Sequence, residues 1–195
     1  PRWQAAGAEA NATGPVVGAE NATKVAAAAD ALTATLDVDA IRASRSTRDR
    51  DEASFGDDAD AFEADKKARA DAKDAHAMLL SALRWTAEAR LAADDAKAFE
   101  AAMRDLDEWV DTSKGTAADV RLRATRFKLR GQPGLALGSL STFLASKAGK
   151  KCANDDLKDL RGLKKDLFAE LGWDFLASAE AKKLLDDVPG EGTSF

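Results

Sequence analysis

Between residues 78 and 110 apolar positions recur with a seven-residue period. Ala82, Ala89, Ala96, Met103 and Val110 form one set, and Met78, Trp85, Ala92, Phe99 and Leu106 form a second. The alternating steps of three and four place both sets on one helical face and make a left-handed bundle seam. Small alanines let a neighbouring helix approach beside the bulky side chains. Burying Trp85, Phe99 or Leu106 stabilises by about 1.5–3 kcal/mol each, whereas an exposed ion pair contributes about 0–1 kcal/mol. The apolar seam therefore sets the fold, and the Glu, Arg and Asp residues around it only trim it.

Residues 119–130 read DVRLRATRFKLR. Wound as a helix, Val120, Ala124 and Phe127 fall on one side, with Leu122 and Leu129 opposite. Arg121 and Lys128 fill one seam between them, and Arg123, Arg126 and Arg130 the other. A surface helix has one apolar stripe, so two stripes parted by basic seams predict a helix touched from both sides. V-R-L-R also alternates like a strand, but the pattern slips at Ala124-Thr125 and the surroundings are rich in alanine. The 78–110 helix is expected to cover the Val120/Ala124/Phe127 face. A helix over 157–171 is expected to cover Leu122 and Leu129.

The remaining elements follow from caps and breakers. Asp57, Asp58 and Asp60 precede Phe62 and suit a helix N-terminus. Residues 112–116 read as a turn, with Thr116 capping the next helix. That helix stops at Arg130-Gly131, and Pro133 restarts one carrying Leu137, Leu140, Phe143 and Leu144. Residues 147–154 form a basic loop. Asp155 and Asp156 open a helix with Leu157, Leu160, Leu163, Leu167 and Leu171, and Gly172 is its natural cap. Trp173, Phe175 and Leu176 are expected to fold back on the bundle, and residues 178–188 to form a last short helix. The fold class predicted is all-α, an up-and-down four-helix bundle over residues 56–195.

Residues 1–55 read differently, as an N-terminal extension that is weakly ordered or docked on a partner. They hold an imperfect repeat, GAEANAT and GAENAT, each with an N-A-T glycosylation pattern, and a charged stretch at 42–52. An Ala-rich helix fits residues 25–36. Trp3, Val16, Val17, Leu32, Leu36 and Ile41 are apolar pegs for a partner or for the domain itself. The start at Pro1 is expected to reflect a trimmed or processed chain.

Composition narrows the function. The chain has 195 residues, formal net charge −5, no Tyr and one cysteine, Cys152. The acidic balance argues against nucleic acid. One cysteine and one histidine, His76, make no disulfide, zinc motif or triad. No run of about 18 apolar residues is present. Phosphate loops, nucleophile elbows and metalloprotease motifs are missing. The pairs Asp94-Asp95, Asp155-Asp156 and Asp186-Asp187 read as helix-end charges rather than an acid–base site. The expectation is a non-enzymatic chain with no cofactor, no metal and no small-molecule substrate.

The run DVRLRATRF at 119–127, standing after Trp109, resembles the PsbQ family, the oxygen-evolving enhancer protein 3 of photosystem II. LKDLRGLKKDLF at 157–168 resembles the opening of that family's third helix, and the Ala-rich helix ending at Trp109 its first. The resemblance implies an algal or otherwise divergent member. It would be a soluble extrinsic subunit of the chloroplast thylakoid lumen, peripheral to the membrane. Its partners would be the photosystem II core and other extrinsic subunits, and its role to help retain the calcium and chloride of the manganese centre without ligating it. Arg121, Arg123, Arg126, Lys128 and Arg130 are then the candidate partner-binding residues. The alternative is a helical scaffold of another large complex. It rests on GQPGLALGSLSTFL, which loosely resembles one helix of a tetratricopeptide-type repeat; no second copy stands at a period of about 34.

Overall fold

The computed structural model describes residues 18–46, 55–56, 58–110 and 115–186. These hold eight α-helices and no strand, so the all-α expectation holds among the described residues. In chain order they are α1 (Gly18–Thr35), α2 (Val38–Ser46), α3 (Ala59–Ala92), α4 (Ala96–Trp109), α5 (Ala117–Leu129), α6 (Pro133–Ala145), α7 (Asn154–Glu170) and α8 (Asp174–Asp186). The chain divides into two compact units, Pro1–Ala102 and Met103–Phe195, rather than at residue 55.

In the first unit α1 lies along α3. Ala29 and Leu32 meet Ala82, flanked by Met78 and Trp85. Ala22, Val25 and Ala26 meet Ala89. Alanines on both helices let the backbones approach, and Leu32, fully buried, fills the space between. The short helix α2 packs on α3 as well, with Ile41 buried. The expected weakly ordered extension is thus corrected for residues 18–46: they are core-forming helices. Leu32, Leu36 and Ile41 pack on their own unit, for burial of apolar surface repays ordering an Ala-rich helix. Trp3, Val16, Val17 and the first N-A-T pattern lie outside the described residues.

Helix α3 opens where the aspartates direct it. Asp58 is the N-cap, and its Oδ1 accepts from Ala61 N at 2.9 Å. The single helix expected over 78–110 is instead two. The chain turns at Ala93–Asp95, with Asp94 at φ 56°. Asp95 Oδ1 then accepts from Ala98 N at 2.9 Å and caps α4. The seven-residue pattern survives on both sides of this turn but fails within it. Ala82, Ala89, Phe99, Met103 and Leu106 are buried, whereas Ala92 and Ala96 are exposed.

The second unit joins the end of α4 to α5–α8. Its main cluster gathers Val120 and Ala124 of α5, Ala136, Leu137, Leu140 and Phe143 of α6, and Leu160 and Leu167 of α7. Helix α7 packs against both α5 and α6, and α8 against α7. Two sequence expectations are corrected here. The Val120/Ala124 face is covered by α6 and α7, and Leu160 and Leu167 belong to that side rather than to the Leu122 side. The reason is the tight turn at Gly131, which folds α6 back along α5 and leaves a groove that α7 fills.

Candidate functional site

The basic helix α5 is held by its caps. Thr116 and Asp119 form a reciprocal capping box: the Asp119 carboxylate accepts from Thr116 N at 2.8 Å, and Asp119 N donates to Thr116 Oγ1 at 3.4 Å. Asp119 is only 2% exposed.

The cations at 121–130 do not form one surface. Arg126 is buried, and its Nη1 lies 2.5 Å from Asp107 Oδ2 on α4. Arg123 Nη2 lies 3.4 Å from the other oxygen of the same carboxylate. Lys128 Nζ lies 2.5 Å from Glu170 Oε1 at the end of α7. Arg121 is half-buried and Arg130 exposed. Thus Arg123 and Arg126 join α5 to α4, and Lys128 joins α5 to α7. Leu122, on the Arg126 side, is buried as expected, but Leu129, the last residue of the helix, is 54% exposed.

A repeated turn organises the helices around these residues. After α3, α5 and α7 the chain makes the same three backbone hydrogen bonds. Ala93, Asp94 and Asp95 N donate to Ala89, Leu91 and Arg90 O; Arg130, Gly131 and Gln132 N to Arg126, Lys128 and Phe127 O; Leu171, Gly172 and Trp173 N to Leu167, Ala169 and Phe168 O. The middle residue is left-handed each time, at φ 56°, 68° and 72°. This is a Schellman stop whose last residue starts the next helix. Measured from that middle residue, the positions twelve and five before it and five after it are buried in all three copies. They are Ala82, Ala89 and Phe99; Asp119, Arg126 and Ala136; and Leu160, Leu167 and Ala177.

Sequence reasoning missed this repeat. Phe127, Gly131, Leu135 and Ala136 are matched by Phe168, Gly172, Leu176 and Ala177, 41 residues on. The F-x-x-x-G-x-x-x-L-A signal was there to find, but at a spacing longer than the roughly 34 residues of a tetratricopeptide unit. The connection between the two hairpins is long and includes a 3-10 turn, Gly149–Lys151.

Trp173, Phe175 and Leu176, expected to fold back, are 50%, 84% and 41% exposed and border an open hollow of about 540 Å³. The Gly172 turn lays Trp173 against Phe168, ring centroids 6.1 Å apart, and points the first turn of α8 outward. Cys152 is half-buried, its Sγ donating to Gly149 O at 3.0 Å, and His76 is half-buried on α3.

Among the described residues no group of three or more His, Cys, Asp or Glu is placed to hold a metal, and no helix is long and apolar enough to cross a membrane. No family of known proteins, no curated protein and no solved structure matches the chain.

Proposed function

We propose that this chain is a non-catalytic docking subunit of a larger assembly. The observation that carries the reading is the repeated hairpin. Stacked helical hairpins bury a continuous core between neighbours and present the outer faces of their helices as an extended binding surface. In the second unit α7 lies against both α5 and α6, the arrangement by which one hairpin builds on the last. This favours the scaffold reading of the GQPGLALGSLSTFL segment, which opens α6 and whose second copy, 41 residues on, opens α8.

Within that class the resemblance of DVRLRATRF and LKDLRGLKKDLF favours the lumenal face of photosystem II as the assembly, with calcium and chloride retention as the role. That reading carries a finer architecture, an up-and-down four-helix bundle over residues 56–195, in which the helix ending at Trp109 is the first, the basic helix follows it, and the helix opened by Asp155 and Asp156 is the third. Its candidate docking residues are the cations of the basic helix, of which Arg130 is exposed, Arg121, Arg123 and Lys128 are half-buried and Arg126 is buried.

Locating the native protein tests both levels. The expected result is cofractionation with oxygen-evolving membranes and release by high salt. Cofractionation with a different large particle refutes the photosystem assignment and keeps the docking reading. Migration as a lone monomer in gentle extracts refutes the docking reading itself.

A further inference from the structure

A cleft of about 350 Å³ opens between the first half of α5 and the second half of α6. Its polar wall comprises Arg123, Ser139, Thr142 and Ser146, and its apolar wall Val120 and Phe143. That volume stands at the small end of ligand-binding clefts.

The second hairpin shows what this place holds when it is filled. Moving 41 residues along the chain converts Val120 to Arg161, Arg123 to Lys164 and Ser139 to Glu180. Glu180 is 3% exposed. Its carboxylate lies 3.4 Å from Lys164 Nζ and 4.0 Å from Arg161 Nε. In α7–α8 a cation on the first helix therefore faces a buried carboxylate on the second. In α5–α6 the cation is kept as Arg123, but a serine stands where the carboxylate stood. The side chain of Ser139 is too short to fill the space, and the cleft remains.

The groups around the cleft are those that hold a carboxylate. Arg123 presents a planar fork of five N–H donors. Its ion pair with Asp107, at 3.4 Å, is long, and that carboxylate is shared with Arg126 at 2.5 Å. The Ser139 and Thr142 hydroxyls supply further donors on the α6 side. Ser146 is a wall and not a donor: its hydroxyl already donates to Phe143 O at 2.6 Å and accepts from Gly149 N at 3.0 Å.

We infer that this cleft receives an aspartate or glutamate side chain from an acidic segment of a partner protein, bound by Arg123 with Ser139 and Thr142. The partner's carboxylate takes the place that Glu180 takes within the second hairpin. The biological use of the site rests on the docking reading above, whereas its geometry does not.

The test uses the full chain and a fluorescein-labelled peptide of alternating glutamate and glycine, followed by fluorescence anisotropy. Ser139→Glu fills the cleft with the chain's own carboxylate, and Arg123→Gln removes the fork. Circular dichroism confirms that each variant is folded. Peptide binding by the unmodified chain is expected to fall roughly tenfold or more in either variant, the scale of a charge-assisted contact. Ser139→Glu is also expected to keep or raise the midpoint of thermal unfolding. Undiminished binding by folded Ser139→Glu overturns the inference. So does acetate or inorganic phosphate binding as tightly as the peptide, which makes the site one for small anions. Where the unmodified chain is attached to its native assembly, Ser139→Glu is expected to detach. Retention at the unmodified level overturns the inference and leaves the docking reading standing. An unmodified chain that is itself unattached defeats the docking reading, while the peptide titration still decides the cleft.

Discussion

Asp107 is the residue on which the polar contacts of α5 converge. One oxygen faces the buried Arg126 and the other Arg123. Removing the carboxylate leaves a guanidinium that is 11% exposed beside fewer partners. Because Asp107 itself is 37% exposed, solvent screens part of the interaction. We expect Asp107→Ala to lower stability by about 1–2 kcal/mol in urea denaturation. Adding Arg126→Met should recover much of that loss, since an apolar side chain of similar volume removes the uncompensated charge. A loss under about 0.5 kcal/mol, the range of ordinary surface changes, would show that the pair contributes little. The same geometry bears on reversing the charges of Arg123, Arg126 and Arg130 together. With Asp107 opposite, reversal sets carboxylate against carboxylate inside the second unit, so the fold is expected to weaken along with any attachment. The helical projection alone does not distinguish Arg126, which is buried, from Arg130, which is exposed. Both lie on one seam; the stop at Gly131 leaves Arg130 at the end of the helix, whereas only the position of α4 sets Arg126 against Asp107.

At the scale of elements the turns carry the organisation. Gly131 and Gly172 sit at φ 68° and 72°, and a Cβ added at either would meet nothing within 4 Å. Any cost of substitution there is therefore backbone conformation rather than a clash. Gly131→Ala or Gly172→Ala is expected to destabilise by roughly 1 kcal/mol. Asp94 adopts the same conformation with a side chain, at φ 56°. Asp94→Gly should relieve that strain against the added freedom of the unfolded chain, for a net change within about 0.5 kcal/mol or a gain. Thermal melts of the three variants decide this, and a Gly131→Ala chain as stable as the original contradicts it. The glycine turns were legible in the sequence because glycine and Pro133 punctuate it. The Asp94 turn was legible only in part: Asp94-Asp95 reads as a helix-end pair, yet the apolar pattern predicts one helix running through it. Aspartate is tolerated in helices, and the seven-residue pattern runs through residues 92–96 without a break in composition. The repeat went unseen, because its copies share backbone hydrogen bonds and burial more than residue types: Asp119 and Arg126 stand where Leu160 and Leu167 stand.

For the whole molecule, the division into Pro1–Ala102 and Met103–Phe195 predicts separable responses. Leu32 is fully buried between α1 and α3. Leu32→Ala should cost about 2–4 kcal/mol, the usual range for a large-to-small change in a core. Its effect on hydrogen exchange should stay within α1, α2 and α3, with α5–α8 protected as before. Equal loss of protection across both units would show that they unfold together. What the amino-acid sequence determined by itself was local: helix-forming composition, the Asp58 and Thr116 caps, the stops at Gly131 and Gly172, and the apolar faces of α6 and α7. Each depends on neighbours within a few residues and on the fixed geometry of one helical turn. The tertiary structure alone decided which face meets which helix. It turned residues 18–46 into part of a core, set Arg126 against Asp107, and left Trp173 and Phe175 outside. It also placed Glu180 beside Lys164 and an open cleft beside Arg123. Those outcomes depend on contacts between residues far apart in the chain, whose pairing is set by how whole helices pack and not by any local pattern.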